Sequence, residues 1–86
     1  MKEITTQSGF HCQLRDNWND DIELLELLVQ VDEGKLQTMP TVLERILGAD
    51  GKKQLYDHLR KDGVVSISAV QAALMEIVTL GGGKNS

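Results

Sequence analysis

The chain has 86 residues, a formal net charge of −4, 41% hydrophobic and 26% charged residues, and a single cysteine. That length supports one core and leaves no room for a second. The acidic balance argues against a nucleic-acid phosphate track or an anionic membrane surface, and Cys12 alone cannot make an internal disulfide. No apolar run approaches the ~20 residues that span a bilayer. Residues 1–7 lack the apolar centre of a secretion signal, so a reducing cytoplasm is the expected setting.

The first predicted element is a β-hairpin, residues 2–6 and 10–14 around Gln7-Ser8-Gly9. A two-residue loop would pair Thr5 with Cys12 and leave Ile4 on the face opposite Phe10, Cys12 and Leu14. A three-residue loop pairs Thr6 with Phe10 and Ile4 with Cys12, gathers the apolar residues on one face, and needs Gly9 in the left-handed region. The second register is therefore expected. An isolated hairpin is unstable in water, so its apolar face must lie on helices.

Four helices are expected to follow. The first spans residues 19–33, with acids in its N-terminal half and Gly34 as its stop. The second spans 38–47, with Thr38 as N-cap, Pro40 in the first turn and Gly48 as its end. The third spans 51–61, capped by Asp50, stopped by Gly63, and presenting Leu55, Tyr56 and Leu59. The fourth spans 67–80, with Ser66 as N-cap and the stripe Ile67, Val70, Leu74, Ile77 and Val78. The predicted class is α+β: an N-terminal β-hairpin packed on a bundle of about four short helices. Residues 1–80 form the domain, and 81–86 a flexible Gly-rich tail.

Charge is uneven along this order. Residues 16–33 carry seven acids and no Lys or Arg, whereas 35–63 carry six bases against four acids. The two stretches are suited to meet within the fold or between chains. Groupings that support catalysis do not emerge. His11 and Cys12 are neighbours on a strand and so point to opposite faces, which is poor geometry for a nucleophilic pair. One Cys and two distant His, His11 and His58, fall short of a zinc set. Asp62-Gly63-Val64-Val65-Ser66 has the glycine of a calcium loop, but His58, Arg60 and Ala69 would then occupy ligand positions. No enzymatic activity, metal or cofactor is expected.

The first helix is the informative one. At 100° per residue, Trp18, Ile22, Leu25 and Val29 make one apolar stripe, and Leu24, Leu27, Leu28 and Val31 make a second. A helix apolar nearly all round is buried or docks a partner. The expected division is a core role for most of these residues, with part of the second stripe left exposed. The expected partner-binding residues are accordingly Leu24, Leu27, Leu28 and Val31, joined by Met39 as an adaptable contact.

Three segments carry a family resemblance. They are Val31-Asp32-Glu33-Gly34 ending an acidic Leu-rich helix, Met39-Pro40-Thr41-Val42-Leu43-Glu44-Arg45-Ile46-Leu47-Gly48, and Leu55-Tyr56-Asp57-His58-Leu59-Arg60-Lys61-Asp62-Gly63-Val64-Val65. With the hairpin before them and an amphipathic helix after, residues 3–80 resemble the small tail assembly chaperones of long-tailed phages and prophages of Gram-positive bacteria. The resemblance implies a non-enzymatic protein of the host cytoplasm, absent from the mature virion. It implies binding to the phage tape measure protein, which is kept soluble until tail tube protein polymerises around it. It further implies contact with the tail tube protein and a frameshifted longer form. Self-association is a separate expectation from the apolar excess of the first helix. Two other readings stay open from the residues alone: a small regulatory or inhibitor protein that binds an enzyme, and a structural head–tail morphogenesis protein that stays in the particle.

Overall fold

In the computed structural model, which describes residues 2–82, the hairpin forms in the register that puts its apolar side chains together. β1 (Lys2–Thr5) pairs antiparallel with β2 (His11–Leu14), and Ile4 lies opposite Cys12. The Thr6 N–H donates to the Phe10 carbonyl at 2.8 Å, and Gly9 adopts φ +93°. Ile4, Phe10, Cys12 and Leu14 are buried, while His11 faces out. The loop is tied to the helices. The Gln7 N–H donates to the Glu76 carboxylate, Ser8 Oγ lies 3.2 Å from His58 Nε2, and the His58 ring stands 5.6 Å from that of Phe10.

Asn17, at φ 63°, turns the chain into a 3-10 turn at Trp18–Asp20, and α1 (Ile22–Asp32) starts three residues later than expected. The delay has a local cause. Asp21 is the N-cap, and its carboxylate accepts from the N–H groups of Glu23 and Leu24. At the other end Gly34, φ +97°, closes a Schellman motif: its N–H donates to Val31 O and that of Lys35 to Gln30 O, both at 2.9 Å.

After a 3-10 turn at Leu36–Thr38 comes α2 (Met39–Leu59), in which the two expected helices follow one another directly across a kink at Gly48. Gly48 takes φ 83°, ψ 166° inside it, so the glycine bends the segment without a loop. Asp50 consequently lies inside the second half and does not flank it. Thr38 makes no side-chain cap either; its hydroxyl donates to Gln30 Oε1 at 3.1 Å and tethers the end of α1. Lys52 reaches Glu44 at 2.9 Å across the bend. Eight residues of straight helix would separate them by about 12 Å of rise. Asp62 and Gly63, both at positive φ, form a two-residue turn that pairs Lys61 with Val64. α3 (Ile67–Leu80) then begins at Ser66, whose Oγ accepts from the Ala69 N–H.

Leu14, Val42, Leu43, Leu55, Leu74 and Ile77 are fully buried and draw the hairpin, α2 and α3 into one core, to which α1 adds Leu24 and Val31. Gly81, expected in a loose tail, is buried in it as well. A Cβ there would stand 2.5 Å from Leu14 Cδ1 and 2.9 Å from Trp18 Cζ2. Residues 83–86 of that expected tail lie outside the described residues. Gly81→Ala is expected to lower stability by about 1–3 kcal/mol, since Leu14 has no free space to retreat into. Urea denaturation measures it.

Candidate partner-docking surface

The rotation of α1 about its axis decides which stripe faces water, and Asp21 fixes that rotation. Its carboxylate, 12% exposed, caps α1 while accepting from Arg15 at 2.6 Å and Arg45 Nε at 2.9 Å. Arg45 also reaches Glu23 at 2.7 Å. The hairpin exit, α1 and α2 are thereby clamped at one point. The Arg45, Leu24 N–H and Arg15 bonds hold the Asp21 carboxyl well below the ordinary carboxylate range, and Asp21 in turn raises the pKa of Arg45. This is where the acidic and basic halves of the sequence meet.

The pH consequence has a definite sign. Folding lowers the Asp21 pKa beneath its unfolded value of about 3.9, so the stabilisation is complete above that value. It is lost as pH falls toward the folded pKa. Asp21→Asn keeps a competent cap but loses the charge. The wild-type protein is expected to melt several degrees higher than this variant at neutral pH, and the difference is expected to shrink below about pH 3. Paired thermal melts across pH check it.

With α1 clamped this way, the stripe that faces solvent is not the expected one. Leu24 is 1% exposed, Val31 and Met39 are buried too, and Leu27 and Leu28 are half-buried against the core. Of the expected set Leu24, Leu27, Leu28, Val31 and Met39, three members are almost wholly core, while Leu27 and Leu28 keep part of their surface in water. Ile22, Leu25 and Val29 are exposed by 66, 53 and 47%, and Met75 of α3 by 56%. Asp21, two and three residues before the Glu23 and Leu24 N–H groups, is legible in the sequence as an N-cap, but which stripe turns outward follows from tertiary contacts.

Of the exposed apolar residues, Val29 and Met75 border a groove between α1 and α3. Leu28, Val29 and Val31 form one wall and Leu74, Met75 and Val78 the other, enclosing about 330 Å³. Asp32 and Gln71 supply its polar groups. Toward the start of α1 a smaller hollow of about 110 Å³ shares Leu28 and Val78 with it and adds Trp18, Leu24 and Leu25. A second groove, about 480 Å³, lies where α2 and α3 begin; Leu36, Met39, Pro40, Tyr56, Val65, Ile67 and Val70 line it. Ile67 is exposed there. Two apolar depressions thus flank α3, one near each end.

Other chemistry is sparse. Burial pushes the Cys12 thiol up, away from its reactive thiolate form. His11 and His58 are hydrogen-bonded near Thr5 and Ser8 respectively. Among the described residues no group of three or more His, Cys, Asp or Glu is placed to hold a metal ion, and no helix is long and apolar enough to cross a membrane. No protein-family model, curated protein or solved structure matches the chain.

Proposed function

We propose that this protein is a phage tail assembly chaperone that holds helical segments of the tape measure protein in solution through the face shared by α1 and α3. One observation carries the reading: Val29 and Met75 stand exposed on the two walls of an apolar groove, with Leu25 exposed one turn before Val29 on α1. A solvated apolar groove between two helices fits an amphipathic helix laid along it. α3, at 14 residues, spans about 21 Å, enough for some four turns of a guest. Charged residues around the apolar face keep such a holdase soluble. The host cytoplasm is the setting this role requires, with release before the virion is complete.

Co-expression with the tape measure protein of the same phage or prophage tests the proposal. The tape measure protein is expected in the soluble fraction with the wild-type chain and in the pellet with Leu25→Glu/Met75→Glu, a variant whose changes lie on exposed positions and whose folding circular dichroism checks. An insoluble tape measure protein in the presence of the folded wild-type chain would rule the reading out.

A further inference from the structure

We infer that the α1/α3 groove selects a cationic amphipathic helix, a segment of another polypeptide with apolar side chains every three to four residues and Lys or Arg along its flanks. The inference rests on the docking reading above and adds the chemistry of the occupant. Charge accounting within the fold carries it. α1 contributes Glu23, Glu26 and Asp32, followed by Glu33, and has no Lys or Arg of its own. Arg45 engages Glu23. Among the described residues no Lys or Arg pairs with Glu26, Asp32 or Glu33, and Asp32 lines the groove itself.

The chain's own cations are mostly engaged elsewhere. Arg15 and Arg45 bind Asp21, Lys52 binds Glu44, and Lys53 and Arg60 bind Asp57. A second copy brings only Lys2, Lys35 and Lys61 of its described cations outside these pairs, scattered along the chain, whereas a basic helix from a different protein lines its whole flank with them. The apolar residues are spaced for the same guest. Leu25 and Val29 lie one turn apart on α1, and Val29 and Met75 line facing walls, so a helix resting between them sets its apolar stripe on Leu28 and Val78 and a cation beside Asp32, the charged residue of the lining. Rim charges of this kind choose the partner and its direction more than they add raw affinity.

The test uses the full chain and three peptides of about 18 residues that share one Leu stripe at helical spacing and differ only in flanks of Lys, Gln or Glu. Calorimetry or fluorescence anisotropy reads the affinities. The Lys peptide is expected to bind about tenfold tighter than the Gln peptide, and the Glu peptide more weakly still. That order is expected to collapse at about 0.5 M salt, where charges more than ~5 Å apart are screened, and to reverse in Glu26→Lys/Asp32→Lys. Leu25→Glu is expected to weaken all three, with circular dichroism confirming that each variant is folded. Equal affinities, an order unchanged in Glu26→Lys/Asp32→Lys, or indifference to Leu25→Glu would overturn the inference. So would a concentration-dependent dimer that Leu25→Glu dissolves, because a second copy would then own the groove. Failure of the chaperone reading is separable: ranked peptides with an insoluble co-expressed tape measure protein would remove that role and leave the charge selection standing.

Discussion

Leu24→Ala is expected to destabilise the protein by about 2–5 kcal/mol, while Leu25→Ala, one residue on, is expected to change stability by no more than about 0.5 kcal/mol. The same chemical truncation has opposite consequences because consecutive helical residues point about 100° apart, and α1 turns Leu24 to the core and Leu25 to water. Leu24 is sealed against the core, and its removal leaves a cavity that α1, held at its N-cap by Arg15 and Arg45, cannot collapse to fill. Leu25 already contacts water over half its surface. A domain of this size has a total stability of only about 5–10 kcal/mol, so Leu24→Ala removes a large fraction of it. Urea titration with a shared slope for both variants measures the contrast. Similar losses at both positions would mean that α1 is rotated from the orientation described.

The second large effect is expected at Gly48. Its φ 83°, ψ 166° lies in a region open to glycine and closed to L-residues with a Cβ, and nothing stands within 4 Å of where that Cβ would go. The cost of Gly48→Ala is therefore backbone strain with no steric clash, about 1–3 kcal/mol. For a domain this short that corresponds to a fall in melting temperature of roughly 5–20 °C. D-alanine at the same position, introduced by chemical synthesis, has the mirrored preference and is expected to melt close to wild type. A straightened α2 would relieve the L-alanine strain, but only by pulling Lys52 away from Glu44 and moving Leu55 relative to Leu43 in the core. A neutral Gly48→Ala would show that the bend is not required.

These two positions also mark what could be read from the sequence and what could not. Local rules worked where one residue type answers one backbone demand. Gly9 selected the hairpin register, Gly34 closed α1, and Ser66 opened α3. Gly48 was legible as an interruption, but a single glycine does not say whether the chain loops out or bends and continues. The answer came from packing, since Leu43 and Ile46 before the bend and Leu55 after it enter the same core. Gly81 is hidden for a related reason: in a run of three glycines, close approach to Leu14 and Trp18 leaves no compositional trace.

The candidate site was harder. α1 is apolar on both stripes, so periodicity located the helix without saying which stripe turns outward. That choice depended on a tertiary contact, the pairing of Asp21 with Arg15 and Arg45 at sequence separations of 6 and 24. The expected division of α1 into a core part and an exposed part stands, but the exposed residues are Ile22, Leu25 and Val29, with Met75 of α3 beside them. Met75 lies outside the Ile67, Val70, Leu74, Ile77 and Val78 stripe, so the period that marks the inward face of α3 does not mark it.

A titration of isotopically labelled protein with a soluble, basic helical fragment of the tape measure protein, followed residue by residue by NMR, goes straight to the point. Shifts should concentrate on Ile22, Leu25, Val29, Gln71 and Met75 and leave the hairpin strands unmoved. Perturbations confined to the hairpin or to the outer face of α2, with α1 and α3 silent, would contradict the account.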